Sequence, residues 1–143
     1  MLRAEQCMLI VERYFADILN HPNPTGPFEY VHPDFVVHHP AFPQGLRSLA
    51  QVLGVIAGFR AAFPDLKYLI LDYVAQENKV AIRWSASGTH KGEFLNIPAS
   101  GRPISVTGID LFCIREGQLT EAWVNSDFLG LMQQIGAIPG PGA

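Results

Sequence analysis

The chain has 143 residues, of which 48% are hydrophobic and 16% charged, with a formal net charge of −3. That length suits one domain with its own core, and the slight acidity offers no basic excess for nucleic acid or anionic lipid. Cys7 and Cys113 make neither a disulfide framework nor a paired metal-ligand set, so a reducing, cytoplasmic setting is expected.

Residues 2–20 place Cys7, Val11, Tyr14 and Ile18 beside Met8, Phe15 and Leu19, the period of an amphipathic helix. Its charges (Arg3, Glu5, Glu12, Arg13, Asp17) leave no run apolar enough for a signal peptide or membrane span. Three prolines between His21 and Pro27 end the helix, 28–31 reads as a single helical turn, and 34–38 as a short strand stopped by Pro40. Residues 45–62 predict a second helix closed by Pro64. One stripe of it, Ala50, Gly54, Ala57, Gly58 and Ala61, is small throughout. Close packing on a neighbouring element and clearance for a ligand both explain such a stripe.

From Leu66 the period changes to two. A hairpin with Gln76 opposite Lys79 sets Asp72 against Arg83 on the more polar face and leaves Val80, Ile82, Trp84 and Ala86 on the apolar one, running on to Gly88 and His90. After a loop ending near Gly101 comes a long strand, a Glu116-Gly117 type I′ turn and a return strand. With Arg115 opposite Gln118 and an unbroken register, Asp110 faces Trp123, Val106 faces Asp127, Gly108 faces Asn125 and Phe112 faces Glu121, and all eight share one face. Residues 128–135 predict a short helix, and 137–143 a frayed tail. The fold expected is one α+β domain over 1–143. Its sheet is strongly curved, cone-like and mostly antiparallel, with the N-terminal helices on the concave face enclosing one apolar small-molecule cavity.

A carboxylate among Ile104, Val106, Phe112 and Ile114 is costly to bury as an anion, so Asp110 is the first catalytic candidate, a group able to take and return a proton near neutrality. A structural bond to an indole or hydroxyl is its other reading. His90 is the candidate proton partner, and bonding a loop backbone is its plainer role. Tyr14, Phe59, Trp84 and Trp123 are candidate contacts for a flat hydrophobic ligand, with Glu121 and Asn125 as polar contacts and His38 bordering the pocket. Asp127 stands before the last helix and suits an N-cap as well as a ligand contact. His32, Asp34, His38 and His39 do not form a metal set, because His38 and His39 alternate across the strand. The sequence carries no nucleophile elbow, P-loop or dinucleotide motif, and no cofactor is expected.

Phe63-Pro64-Asp65-Leu66, the run Gly88 to Phe94, the segment Ile97 to Arg102, and Glu121-Ala122-Trp123 through Asp127, Gln133, Gln134 and Gly136 together resemble the SnoaL-like cyclases of the nuclear-transport-factor-2-like superfamily. The resemblance implies a helix-lined cone, frequent oligomers through the sheet's outer face (here a homodimer or higher homo-oligomer), and cofactor-free aldol cyclisation of polyketide esters. It also implies an acid/base aspartate one position after Trp123 and an assisting histidine at the position of Asp110. This chain has Val124 at the first of these and a carboxylate at the second. The expectation is therefore a cofactor-independent cyclase or isomerase for a hydrophobic carbonyl compound. The alternatives are a non-catalytic binding module of the same fold and an epoxide-hydrolase-like enzyme, which would need Arg83 inside the cavity.

Overall fold

The computed structural model describes residues 2–140. α1 (Ala4–Tyr14) buries Cys7, Met8, Val11 and Tyr14 and continues as a π-helical turn, Phe15–Leu19, closed by the bond from Asn20 N to Phe15 O at 2.8 Å. The helix expected over 2–20 is thus present, wider in its last turn. Two strands follow where one short strand was expected: β1 (Val31–His39) and β2 (Phe42–Leu46). Pro43 is tolerated in β2 because that strand is a sheet edge. Gly45, at φ +75°, and β2 itself delay the second helix, so α2 runs Leu49–Ala62 rather than from residue 45. Ser48 caps it, its Oγ accepting from Gln51 N at 3.1 Å.

β3 (Lys67–Gln76), β4 (Lys79–Thr89), β5 (Pro103–Arg115) and β6 (Gln118–Ser126) complete a curled, unclosed sheet of order β2-β1-β6-β5-β4-β3, and α3 (Phe128–Gln134) follows. Every neighbouring pair is antiparallel except β1 with β6. This is the α+β, mostly antiparallel architecture expected. The expected pairs Gln76–Lys79 and Asp72–Arg83 are present. Glu116 and Gly117 have φ of 52° and 78°, the left-handed conformation that a type I′ turn requires of both central residues. Of the expected tail, 141–143 lie outside the described residues, while Ala137 N donates to Met132 O at 2.9 Å.

The core lies between the helices and the concave side of the sheet, where Tyr14 packs edge-on against Phe35 and Phe112 at 5.7 and 5.8 Å. α2 packs chiefly on β1, which leaves space between the helix and the middle of the sheet. Arg60 and Asn20 fix one rim of that space. The Arg60 guanidinium donates to Leu66 O at 2.6 Å and Leu19 O at 2.5 Å. The Asn20 amide makes a two-way pair with the Tyr68 backbone, at 2.7 and 3.0 Å. The small stripe of α2 serves neither purpose expected of it: Ala50, Gly54, Ala57, Gly58 and Ala61 are exposed, and a Cβ at Gly54 or Gly58 would meet nothing within 4 Å.

Candidate functional site

Strand alternation decides which side chains reach the concave space. On β4, Val80, Ile82, Trp84 and Ala86 are buried there, and on β5 so are Ile104, Val106, Asp110 and Phe112. On β6 the register differs from that expected. Arg115 pairs with Gln118 and Ile114 with Leu119, but Cys113 pairs with Glu121, so Thr120 is an extra residue in the ladder. Its Oγ1 donates to Cys113 O at 3.3 Å. This bulge turns over everything beyond it. Asp110 faces Val124, not Trp123; Gly108 faces Ser126, not Asn125; Phe112 faces Ala122, not Glu121.

Asp110 is 5% exposed. Its Oδ1 accepts from Trp84 Nε1 at 2.9 Å, and its Oδ2 has no hydrogen-bond partner among the described residues. Burial pushes the carboxyl up to about 7, against a smaller downward pull from the indole N–H. The group therefore exists in both protonation states near neutrality. Gly108 makes the Trp84 contact possible. It is the cross-strand partner of Trp84, and a Cβ there would lie within 2.6 Å of the indole Cε2 and 2.8 Å of Asn125 O.

Asp110 opens onto a cavity of about 130 Å³ that Tyr14, Phe59, Phe63, Tyr68, Trp84 and Val124 help to line. Nearly all of its wall is apolar. The exceptions include the Tyr14 and Tyr68 hydroxyls, which make no hydrogen bond among the described residues. Burial and the Asp110 charge raise both phenols, Tyr68 to about 12, so they stay protonated donors. His39 and Ser126 are also on the wall. Among the described residues no Lys or Arg lines this cavity.

Asp110, Tyr14, Phe59 and Trp84 thus meet in one cavity, as the sequence suggested. The other candidates do not. His90 is fully buried, but its Nδ1 is engaged by Ser100, accepting from the backbone N–H at 3.1 Å with the hydroxyl at 2.9 Å. Its ring lies against Phe63 at 5.5 Å rather than on the cavity wall. It joins the two ends of the 90–102 loop, with its backbone bonded to Arg102 O and Gly101 N. His38, Glu121 and Trp123 are together on the convex face: His38 Nε2 is 2.6 Å from Glu121 Oε2, and its ring stacks on Trp123 at 5.1 Å. Asn125 is exposed, and Asp127 is the N-cap of α3, its Oδ1 accepting from Gly130 N at 2.9 Å. Arg83 is exposed on the convex face, outside the cavity. Sequence reasoning put neither Tyr68 nor His39 on the cavity wall and weighed His39 only as a metal ligand. The apolar alternation of Tyr68 with Ile70 and of Val37 with His39 was the available signal. Among the described residues no three His, Cys, Asp or Glu side chains come together, and no helix is long and apolar enough to cross a membrane.

The family model of SnoaL-like polyketide cyclases matches residues 9–135. None of the curated proteins matches the chain in sequence. Among solved structures, TsrD from Streptomyces laurentii is 31% identical, with a TM-score of 0.83 over 96% of this chain and 100% of its own. IdmH from Streptomyces antibioticus, a proposed polyketide cyclase, is 30% identical, with a TM-score of 0.81 over 92% of this chain and 99% of its own. AclR from Streptomyces galilaeus, a proposed hydroxylase, shares the fold with a TM-score of 0.83 at 23% identity, covering 96% of this chain and all of its own.

Proposed function

The chain belongs to the SnoaL-like polyketide cyclase family, and from that premise we propose that it is a cofactor-independent enzyme moving protons on a hydrophobic carbonyl compound, as a cyclase or isomerase. The observation that carries the reading is Asp110, a buried carboxyl at the edge of an apolar cavity with one oxygen uncommitted, which burial pushes up to about 7. In its ionised form it removes a proton from the carbon next to a carbonyl. The electron pair of that C–H bond becomes the enolate double bond, and the carbonyl pair moves onto oxygen. The enolate then attacks a second carbonyl, whose π pair moves onto its oxygen and takes the proton Asp110 holds, or it is reprotonated at another carbon by the same acid. Tyr14 and Tyr68 are placed to donate to a ligand oxygen at this end of the cavity.

The absence of cationic side chains from the wall favours a neutral ketone or ester over a free acid. Asp110→Asn tests the reading, since the amide keeps the shape and cannot serve as the base. Turnover of a confirmed substrate should fall by roughly 10²- to 10⁴-fold, the usual span for a lost general acid–base group. Unchanged turnover would reject the assignment.

Val124 favours a second reading, because the position where the family resemblance puts the acid is apolar here. A binding module would retain its ligand chemically unaltered through long incubation. A homodimer through the convex face is part of the proposal; Ile109 and Trp123 are exposed apolar groups there, and sedimentation velocity tests it.

A further inference from the structure

The parallel pairing of β1 with β6 puts His38 beside Trp123, so His39 and Val124 are neighbours one residue further along both strands. Val124 is in turn the cross-strand partner of Asp110. His39, Val124 and Asp110 therefore form a row across three adjacent strands, and all three are on the cavity wall. Two strand spacings put the Cα atoms of His39 and Asp110 roughly 10 Å apart, an imidazole and a carboxyl facing one space across an apolar floor.

The state of the imidazole is set locally. Its Nδ1 accepts the backbone N–H of Ala41 at 3.0 Å, which occupies that lone pair and leaves the ring hydrogen on Nε2. Burial opposes a second proton, so the ring stays neutral. Phe42 packs edge-on against it at 5.5 Å, and Nε2 has no partner among the described residues.

We propose that His39 is a second catalytic residue, whose Nε2–H binds the carbonyl oxygen of a neutral ketone or ester while Asp110 handles the proton on the neighbouring carbon. The proposal rests on the acid–base reading of Asp110. Asp110 takes the C–H proton, the C–H pair forms the enolate double bond, and the charge arriving on oxygen is met by the Nε2–H hydrogen bond. His39 keeps its proton throughout, and Asp110, after exchanging its acid proton with solvent, returns a proton (in D2O a deuteron) to the carbon. A neutral imidazole suits this work because it polarises oxygen without supplying a proton that would trap the enol. The row also gives Val124 a role: an acid–base carboxyl on one side of it and a donor on the other divide two tasks around a position that is itself inert.

The test uses 2-acetylnaphthalene carrying carbon-13 at the carbonyl, added to the full chain in D2O. Two readouts are followed: deuterium entering the methyl group, and the carbonyl carbon-13 shift of the bound ketone. The expected result for the wild type is exchange above the buffer rate and a downfield carbonyl shift. Asp110→Asn should lose exchange by 100-fold or more and keep the downfield shift. His39→Leu should lose the downfield shift and at least 10-fold of the exchange, and His39→Gln, which keeps an N–H donor, should recover part of both. In the unmutated protein the His39 Nε2 proton resonance should move on ligand addition, a check independent of how any variant folds. A carbonyl shift that survives His39→Leu, or an Nε2 resonance that does not move, overturns the proposal. Exchange absent from the wild type beside a His39-dependent carbonyl shift overturns the acid–base reading of Asp110 and leaves His39 supported as the ligand's donor.

Discussion

The indole N–H of Trp84 reaches diagonally from β4 to Asp110 Oδ1 on β5, at 2.9 Å, and crosses above Gly108 to do so. The bond ties down one carboxyl oxygen and leaves the other toward the cavity. It stabilises both the carboxylate and the acid, the carboxylate more strongly, and so opposes the larger effect of burial on the same group.

A folded-state value of about 7 against 3.8 for a free carboxyl makes stability depend on pH. Between these values the unfolded chain has lost the proton and the folded chain retains it. The contribution is therefore complete below about pH 4, declines as pH rises toward 7, and is gone above that. At about 1.4 kcal/mol per pH unit the full effect is on the order of 4 kcal/mol. Urea unfolding from pH 4 to 8 should show this decline in the wild type beyond that in Asp110→Asn, which is neutral throughout. Identical pH dependence in the two proteins would mean that Asp110 does not hold its proton.

Trp84→Phe removes the donor and keeps most of the ring. The Asp110 carboxyl should then titrate higher than in the wild type, because the bond that favours its charged form is gone. Carbon-13 NMR of the aspartate carboxyl should show an upward movement, and the pH at which activity rises should move the same way. Stability should fall by about 1–3 kcal/mol, the cost of leaving a buried acceptor unpaired.

Gly108→Ala places a methyl group where the indole and Asn125 O already are. Neither neighbour is a flexible chain end, so the strand or the ring must shift. The expected cost is about 1–3 kcal/mol, seen as a lower urea midpoint with the m-value unchanged. The ligand-free Asp110 carboxyl should also move upward, as in Trp84→Phe, since the displaced indole no longer reaches it.

How far the site could be seen in advance depended on local rules more than on hydrophobicity. Turn chemistry set the start of the β5–β6 hairpin correctly, because Glu116 and Gly117 suit left-handed backbone. Two pairs later the inserted Thr120 turned the strand over, and an unbroken register put Trp123 and Glu121 on the wrong face. The apolar phase Ala122, Val124 against the polar phase Glu121, Asn125 carried the true alternation, and the size of Trp123 masked it. Asp110 was legible because β5 alternates without a break from Ile104 to Phe112. His39 was legible only in part: its step of two from Val37 puts both on one face, but the pairing of β1 with β6 that turns this face to the cavity joins strands some eighty residues apart.

Val124→Asp restores a carboxyl at the position where the family resemblance puts one, directly opposite Asp110. Two buried carboxyls on paired strands cannot both ionise without cost, so they should share a proton and titrate as a pair. The variant should be less stable than wild type at pH 8 and recover most of the loss by pH 5, as read from thermal midpoints. A loss independent of pH would indicate a packing defect rather than charge repulsion.

Glu121 and Trp123 separate the two faces of the sheet by function. Glu121→Gln removes the charge facing His38, and Trp123→Ala removes the ring on which His38 stacks, yet both lie opposite the cavity face. Affinity for a cavity ligand such as 2-acetylnaphthalene should stay within about twofold of wild type in each, since neither side chain touches it and distant sites act nearly additively. Phe59→Ala, which opens the cavity wall, should weaken the same ligand clearly more than either. Equal losses from the two faces would mean that the convex cluster and the cavity are one coupled site.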